Sequence, residues 1–412
     1  MSFKKSLENW RYPSILLLSI GISSVGSWVY FIALNLIVLN LTGSALAVSG
    51  LYIIRALSTL FTNVWSGSLI DRMNKKYLMI VLNFFQTVLI ALLPLFTSIT
   101  FIYCMVFIIT IASSMYHPTS MTYITKLIPE GERKRFNSLR SLLDSGAFLT
   151  GPAIAGMMFI IGTPNIAIYL NAIALFLSAF ITIGLPNVES STLVKASDGK
   201  LSVELLKEDW KIVVRFSRNY SYIMVIYFLF SAMLVMMTAT DSLEAAFATQ
   251  ILSLSEGEYG VLVSIAGAGV LVGSLVNTIF VEKIPTSWLI GMGSMITAIG
   301  YMVFTASDTF LIASVGCFSL SFATAFANTG FYTFYQKNIP VDVMGRIGSA
   351  YGFVEAFLII VFTAIFGVVS DLISIRFVVV SGATIMLLVS IVLFIYNVQS
   401  SKSKFYQNAT VK

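Results

Sequence analysis

The sequence predicts an all-α membrane protein whose roughly twelve spanning helices form two pseudo-symmetric bundles of six. The composition is the first observation: of 412 residues, 57% are hydrophobic and 11% are charged, against about 25% charged residues in a soluble domain. The second is that apolar runs of about 20 residues recur, each long enough to cross a hydrocarbon core of ~30 Å as a helix. The third is that polar landmarks of the first half reappear in the second half. Together they exclude a soluble protein and predict a multi-pass chain in a lipid bilayer.

Twelve predicted spans follow one another with mostly short polar connections. They cover residues 14–41, 45–70, 77–97, 100–125, 138–162, 165–185, 220–240, 258–281, 287–305, 310–335, 347–370 and 377–398. We therefore expect an N-terminal bundle over 1–185, a C-terminal bundle over 220–400 and a tail over 401–412. The connecting segment 186–219 begins as a polar linker, and its second part has the pattern of an amphipathic helix on the inner leaflet.

Positive charges lie on one side of the predicted spans. Of the 25 Lys and Arg residues, all except Arg55 and Arg376 fall in the two tails or in the even-numbered loops, with Arg140 just beyond one of them. The positive-inside rule places both termini in the cytoplasm of a plasma-membrane protein. The net charge of +6 follows from this asymmetry, so it does not indicate nucleic-acid binding.

Polar landmarks repeat at a fixed distance along the chain. The matched pairs are Lys126 and Lys337, Pro129 and Pro340, Arg135 and Arg346, Ser138 and Ser349, and Asp144 and Glu355, each 211 residues apart (355 − 144 = 211). A further match places Gly67 of Gly-Ser-Leu-Ile-Asp 206 residues before Gly273 of Gly-Ser-Leu-Val-Asn (273 − 67 = 206). An internal repeat of helical units is typical of secondary transporters.

A charged hairpin separates the second and third predicted spans. Its sequence, Gly67-Ser-Leu-Ile-Asp71-Arg72-Met-Asn74-Lys75-Lys76, resembles the signature loop of the major facilitator superfamily of secondary transporters. That family most often has Gly where this chain has Asn74, and Asn also tolerates the left-handed backbone of a tight turn. An ordinary solvated loop is the alternative, and it would explain the two lysines but not the Gly and Asp at fixed offsets.

Further segments narrow the resemblance to one branch. The segments Tyr116-His117-Pro118, Ile128-Pro129-Glu130 and Gly345-Arg346 are similar to those of macrolide-efflux proteins and enterobactin exporters. The resemblance implies a protein that carries small molecules and needs no cofactor.

A motif in the fifth predicted span resembles one that is typical of antiporters. It reads Ala-x-x-x-Gly151-Pro152-x-x-Ala-Gly156, with Ala replacing two of the family's glycines. An arginine that is usual in the fourth helix of many drug–proton antiporters is missing, so their coupling scheme does not transfer directly.

The resemblance also implies a cytoplasmic gate built around the hairpin. Asp71 would meet the N-terminus of the eleventh span near Arg346, where unpaired N–H groups and the positive helix end favour an anion. Arg72 could pair with Glu130 or Glu132. The predicted gating residues are Gly67, Asp71, Arg72, Lys75, Lys76, Glu130 and Arg346.

Energy for transport is expected to come from an ion gradient. The chain has no GxxxxGK[ST] run, and its single His and two Cys make neither a metal site nor a nucleophile of an enzyme. We therefore look for the chemistry in ionisable residues inside the membrane. Inserting each of them costs on the order of 3 kcal/mol, so their presence indicates a function.

Two acidic residues at repeat-equivalent positions are the first candidates. Asp144 and Glu355 both lie roughly 10 Å from the cytoplasmic end of their predicted spans, at ~1.5 Å per residue. A partly desolvated carboxyl can carry a proton at neutral pH, and the family arrangement implies that both face the central cleft. The alternative is a structural partner: Arg140 lies one turn before Asp144 on the same face. Both interpretations stay open for Asp144, whereas for Glu355 we predict a proton or substrate role.

Two further acids, Asp241 and Glu244, share a helical face at the outer end of the seventh predicted span. If that helix extends to Phe247, they lie inside the cavity mouth and could bind a proton or a cationic group. If it ends near Thr240, they lie in a solvated loop.

Arg55 is the one cation well inside a predicted span. It lies 71 − 55 = 16 residues, or about 24 Å, from the cytoplasmic end of the second span. We predict that Arg55 pairs with Asp241 or Glu244, or that it meets an anionic substrate. His117, beside Pro118, has a side chain that titrates near neutral pH, and packing beside a helix kink is the alternative role.

The sequence therefore predicts a secondary active transporter that exports amphipathic small molecules, such as drugs or siderophores, in exchange for protons. Its expected partners are the substrate, protons and the bilayer, and we expect a monomer. The alternatives are a proton-coupled importer, a gradient-independent facilitator, a lipid scramblase and a membrane sensor that transports nothing.

Overall fold

The chain folds into α-helices that are long enough to cross a membrane. The computed structural model describes residues 2–189, 203–280, 283–399 and 405–406, and these ranges contain no β-strand. The helices are α1 (Ser2–Thr42), α2 (Ala45–Arg72), α3 (Lys75–Leu92), α4 (Ile99–Leu127), α5 (Glu130–Ile161), α6 (Pro164–Ile183), α7 (Val203–Asn219), α8 (Ser221–Asp241), α9 (Glu244–Ala246), α10 (Glu256–Phe280), α11 (Thr286–Thr305), α12 (Phe310–Asn338), α13 (Val341–Leu372) and α14 (Ile375–Val398). All except α7 and the one-turn α9 are long and apolar enough to span a bilayer. The predicted all-α fold with twelve spans is confirmed.

The spans are helical because the apolar sequence places them in the hydrocarbon core of a membrane. In a hydrocarbon core each backbone N–H and C=O must be paired within the protein, and an α-helix pairs them within its own segment. Polar groups mark the ends: Asn74 precedes α3, and its side-chain oxygen accepts a hydrogen bond from the backbone N–H of Tyr77 at 3.3 Å. The backbone of Asn74 is extended (φ −67°, ψ 119°). Asn74 is therefore an N-cap, and the left-handed turn that a Gly would favour is not formed at this position.

The helices form two compact units. Unit 1 comprises Met1–Gly43, Gly50–Asp198 and Ser255–Ser264, and unit 2 comprises Ser44–Ser49, Gly199–Leu254 and Ile265–Lys412. Within unit 1, α1 packs against α5 and α6, and α3 packs against α4 and α6. Within unit 2, α11 packs against α12 and α14, and α8 packs against α13 and α14.

Helix α5 is packed closely on both sides at its glycines. A Cβ atom on Gly151 would lie 2.4 Å from the Cβ of Trp28 on α1. A Cβ atom on Gly260, in the first turns of α10, would lie 2.6 Å from the Cα of Gly156 and 2.8 Å from the carbonyl oxygen of Pro152. The residues of the predicted helix-5 motif therefore lie where other backbones and side chains approach the helix most closely, and only glycine fits there without a shift.

The segment between the predicted bundles contains helix α7. Val213 and Phe216 are buried, whereas Lys211 and Arg215 on the same helix are exposed. Helix α7 packs against α8 and α13 in unit 2. The polar linker predicted before α7 falls largely on residues 190–202, which lie outside the described residues.

Candidate functional site

The predicted gating residues lie near the ends of helices. Asp71 and Arg72 end α2, whereas Glu130 begins α5 and Arg346 lies in the second turn of α13. The side chains of these four residues, and Gly67, lie outside the described part of the chain. Their gating role stays a prediction.

Lys75 of the hairpin is buried in an ion-pair cluster that our sequence analysis did not predict. Its ammonium lies 3.2 Å from Oε1 of Glu189, and the ammonium of Lys126 lies 3.0 Å from the same oxygen. The Lys75 ammonium also donates to the Met73 carbonyl at 2.9 Å. Burial alone would raise the pKa of Glu189, but hydrogen bonds and charge attraction from the two lysines outweigh it and hold that pKa below its usual range. Lys76, next to Lys75, is only partly buried.

Asp144 belongs to a polar cluster that joins three helices of unit 1. Its Oδ2 lies 3.8 Å from Nε of Arg140 on the same helix, and its Oδ1 accepts a hydrogen bond from Ser24 of α1 at 2.9 Å. The guanidinium of Arg140 also donates to the sulfur of Met121 on α4 at 2.7 Å. The Asp144 side chain is 49% exposed. Asp144 is therefore a carboxylate with a fixed cation one turn away.

His117 lies at the edge of the same cluster. Its Nε2 atom is 3.4 Å from Nη2 of Arg140. Because a guanidinium donates but cannot accept a hydrogen bond, Nε2 acts as the acceptor, and this contact requires a neutral imidazole. The packing beside Pro118 and the titrating role both stay predictions.

Glu355 occupies the repeat-equivalent position in unit 2, with different neighbours. Its Oε2 accepts a hydrogen bond from the hydroxyl of Ser231 on α8 at 2.7 Å. In the part of unit 2 that the structure describes, no Lys, Arg or His side chain lies within 4.0 Å of it. The Glu355 side chain is partly buried. It is a membrane carboxylate whose described partner is a neutral hydroxyl.

Aromatic rings pack around Tyr227, a neighbour of Glu355. Tyr227 lies close enough to Glu355 for the two groups to interact electrostatically. Its ring centroid is 4.9 Å from that of Tyr351, 5.4 Å from that of Phe331 and 5.7 Å from that of Tyr335. These rings come from α8, α12 and α13 of unit 2. They provide an apolar surface that can adapt to ligands of different shape.

Asp241 and Glu244 lie at the end of α8 and in the turn that follows it. Helix α8 ends at Asp241, and a short helical turn with Glu244 and a π-helical turn over Phe247–Ile251 continue the chain. The Oδ1 atom of Asp241 accepts a hydrogen bond from the hydroxyl of Tyr301 at 2.6 Å. Both carboxylates are partly buried. The structure therefore matches neither prediction fully: α8 does not continue to Phe247, and the two carboxylates do not lie in a solvated loop.

Arg55 lies against aromatic rings of unit 1. Its guanidinium carbon is 4.5 Å from the centroid of the Phe31 ring. No carboxylate among the described residues of unit 1 lies within 4.0 Å of this side chain. The predicted partners Asp241 and Glu244 belong to unit 2, so that pairing stays a prediction.

Several partners of the candidate acids were missed by sequence reasoning. Ser24, Ser231 and Tyr301 donate to Asp144, Glu355 and Asp241 from other helices. A single hydroxyl in an apolar helix has no spacing pattern that would identify it. Glu189 did carry a signal, because it is the first acid after the sixth span and follows two basic segments on the same predicted side.

Comparison with known proteins gives one family. Residues 16–363 match the Major Facilitator Superfamily. A Bacillus subtilis (strain 168) protein described as the uncharacterized MFS-type transporter YfiS is 25% identical over 358 residues, covering 84% of each chain.

Solved structures share the fold. A crystal structure of a bacterial homologue of the human lysosomal transporter Spinster superposes with a TM-score of 0.75 at 13% identity, covering 97% of this chain and 99% of that one. A D-xylose–proton symporter superposes with a TM-score of 0.67 at 14% identity, covering 95% and 98%. At these identities the likeness concerns the fold alone.

Proposed function

This chain belongs to the major facilitator superfamily, and from that premise we propose that it exports amphipathic small molecules in exchange for protons. The family and the twelve spans make it a multi-pass membrane transporter. The proposal adds the direction, the coupling ion and the substrate class. It also assigns the chain to the plasma membrane as a monomer with both termini in the cytoplasm, and to the branch of macrolide and enterobactin exporters.

The observation that carries the proposal is the environment of Glu355. A proton carrier must be stable both with and without its proton. The Ser231 hydroxyl, 2.7 Å from Oε2, can donate to the carboxylate and can accept from the protonated acid, because a hydroxyl is both donor and acceptor. A fixed cation would favour the charged form alone, and none lies within 4.0 Å in the described part of unit 2. The Ser231 hydroxyl can therefore pair with Glu355 in both of its protonation states.

The neighbours of Glu355 also support an amphipathic substrate. Tyr227, Phe331, Tyr335 and Tyr351 offer aromatic faces with hydroxyl groups at three of the four rings. An apolar substrate body can lie on such rings while its polar groups meet the hydroxyls. Substrate and proton would then compete for one region of unit 2, which is the basis of exchange.

The driving force is sufficient for export. One proton that moves down a potential of 100 mV releases about 2.3 kcal/mol. Since about 1.4 kcal/mol corresponds to a factor of ten, one proton per substrate sustains a gradient of about 40-fold.

The test uses purified protein in liposomes that hold an inside-acid pH gradient, read with a pH-sensitive dye. A panel of macrolides, lipophilic cations and catecholate siderophores is added to the wild type and to Glu355→Gln. We expect at least one compound to collapse the gradient in the wild type and to leave it intact in Glu355→Gln. The matched control is Asp308→Asn, which removes the charge of an exposed carboxylate that pairs with Arg376 and should behave like the wild type.

Two results would contradict the proposal. If compounds cross the membrane without moving protons, the protein is a facilitator. If the gradient collapses equally in Glu355→Gln, another group carries the proton.

A further inference from the structure

Arg55 lies within a group of aromatic side chains in the middle of a span. It occupies the span Ala45–Asn63 of α2, with its guanidinium carbon 4.5 Å from the Phe31 ring centroid. The Phe31 ring is 5.7 Å from Tyr52 and 5.7 Å from Trp28, and Trp28 is 4.3 Å from Phe148. We call Trp28, Phe31, Tyr52 and Phe148 the aromatic wall. Its members come from α1, α2 and α5 of unit 1, and all four are only partly buried.

The helix-5 motif shapes this wall. Gly151 lies at the closest approach of α5 to Trp28, because a Cβ atom there would be 2.4 Å from the Trp28 Cβ. Phe148 lies three residues earlier on the same helix and packs on the Trp28 ring. A side chain at 151 would push Trp28 away from α5, so the glycine is needed for the wall to form.

Two polar groups at the wall lack the partners that their positions require. The described residues of unit 1 place no carboxylate within 4.0 Å of Arg55. The Tyr30 side chain is 7% exposed, and its buried hydroxyl has no hydrogen-bond partner among the described residues. This hydroxyl and the Arg55 guanidinium are near enough to interact electrostatically. A cation and a hydroxyl donor thus lie near each other, and the described residues of unit 1 supply no carboxylate to the first and no hydrogen-bond partner to the second.

We infer that Arg55 and Tyr30 form an anion-binding subsite, so that the exported substrate is an amphipathic molecule carrying a carboxylate or phosphate group. The inference rests on the proposed export function and names its substrate class. A guanidinium presents donors in a fork that matches carboxylate and phosphate oxygens, and the Tyr30 hydroxyl supplies a further donor. Apolar atoms next to the anionic group can lie on the aromatic wall. Cation–π contact with Phe31 holds the guanidinium in place while the subsite is empty.

The depth of Arg55 favours a substrate over a lipid headgroup. Ala45 begins α2, and Arg55 lies ten residues further on, or about 15 Å along the helix. Headgroups lie at the surface of a core that is ~30 Å thick, so Arg55 lies well inside the span. A free anionic amphiphile can reach this depth inside a transporter, whereas a phospholipid would have to leave its leaflet.

The test measures binding without transport. Wild-type protein in phosphatidylcholine nanodiscs is titrated by calorimetry with four naphthyl probes that share one apolar body: naphthylacetate, naphthyl phosphate, the neutral naphthylacetamide and naphthylethylammonium. We expect the two anions to bind about 10-fold or more tightly than the amide, as charge-assisted hydrogen bonds do, and the ammonium to bind most weakly. Repeating the titration with added phosphatidylglycerol should leave the anion affinity unchanged.

Variants separate the subsite from general packing. Arg55→Gln should bring anion and amide affinities together, and Arg55→Lys should keep part of the preference because it keeps the charge. Tyr30→Phe should weaken the anions about 3-fold and leave the amide unchanged, because it removes one neutral hydrogen bond. Arg376→Gln, which removes a guanidinium that pairs with Asp308 in unit 2, should match the wild type.

The inference is overturned if the wild type does not prefer anions over the amide, or if Arg55→Gln keeps that preference. It is also overturned if phosphatidylglycerol displaces the anions, because the site would then hold a lipid headgroup. Anion binding through Arg55 with no proton movement in liposomes would refute proton exchange and leave the subsite standing. Proton exchange in liposomes without a preference for anions would refute the anion-binding subsite and leave the proposed proton exchange standing.

Discussion

Asp144 and Glu355 lie at matching positions of the internal repeat, 211 residues apart, yet their surroundings differ. Asp144 has Arg140 at 3.8 Å as well as the Ser24 hydroxyl at 2.9 Å. Glu355 has the Ser231 hydroxyl at 2.7 Å and, among the described residues of unit 2, no cation within reach. Each acid accepts a hydrogen bond from a serine on the first span of its half. The two sites therefore differ in the cation, Arg140, that lies beside Asp144.

That difference determines what each acid can do. The Arg140–Asp144 pair also contacts Ser24 of α1 and Met121 of α4, which suits a structural tie between helices. A hydroxyl can pair with either the charged or the protonated form of a carboxyl group, which suits a group that exchanges protons. We therefore propose that an acid at the same repeat position has a different role in each half, according to the residue beside it.

The largest effect is expected from Glu355→Gln. Glutamine keeps the size and the hydrogen bond to Ser231 but cannot release a proton. We predict that proton-coupled transport falls to background, a loss of about 100-fold or more, as expected for a group that acts in the reaction itself. Initial rates of substrate-driven proton movement in liposomes measure this, and a rate within 2-fold of the wild type would show that Glu355 is not the carrier.

The two serines provide a matched pair. Ser231→Ala removes the one described hydrogen-bond partner of Glu355 and should lower the transport rate about 3- to 10-fold, since a typical hydrogen bond contributes about 0.5–1.5 kcal/mol. Ser24→Ala leaves Arg140 beside Asp144, and its effect should stay below 2-fold. If Ser231→Ala and Ser24→Ala lose the same fraction of the transport rate, the two acids do not have different roles.

Asp144→Asn tests the paired acid directly. It removes the ion pair with Arg140, which is partly exposed and therefore worth about 1 kcal/mol or less. Transport should slow about 2-fold, with the ratio of protons to substrate unchanged in paired flux measurements. A change in that ratio would make Asp144 a second proton carrier.

The smallest effect concerns Glu189, a paired carboxylate outside the spans. Lys126 and Lys75 hold its pKa below the usual 4.5, so its contribution to stability is complete above that pH and is lost as the pH falls through the lowered value. Glu189→Gln should destabilise the protein by about 1–2 kcal/mol at pH 7, and the loss should shrink as the pH falls from 4.5 through the lowered pKa. Lys126→Gln, which removes the more exposed lysine, should cost less. Melting temperatures at pH 7 and at a pH below 4.5 measure both, and a pH-independent difference would exclude the ion pairs as its cause.

The spans and the local contacts could be predicted from the sequence. Hydropathy locates twelve spans because lipid allows few other ways to pair the backbone, and the spacing of Arg140 and Asp144 gives their contact because side chains four residues apart on a helix are neighbours. Contacts between distant helices could not be predicted in this way. Ser231 and Tyr301 reach their acids from other helices, and neither stands out in an apolar sequence.

Other features depended on neighbours that no local pattern reveals. The depth of Arg55 was evident from its position between apolar residues, but its contact with the Phe31 ring and the burial of the Tyr30 hydroxyl involve residues more than 20 positions away in the sequence. Asn74 could be placed in a turn from its residue type, although its extended backbone makes it a helix cap. The predicted contacts of Asp71 and Arg72 remain to be measured.

Proton release on substrate binding tests the difference between the two acids most directly. Detergent-solubilised wild type, Asp144→Asn and Glu355→Gln are mixed in weak buffer with the compound that collapses the liposome gradient, and the released protons are counted with a pH dye. We predict equal release from the wild type and Asp144→Asn, and none from Glu355→Gln while that variant still binds the compound. Full release from Glu355→Gln, or loss of release in Asp144→Asn, would contradict the roles assigned here.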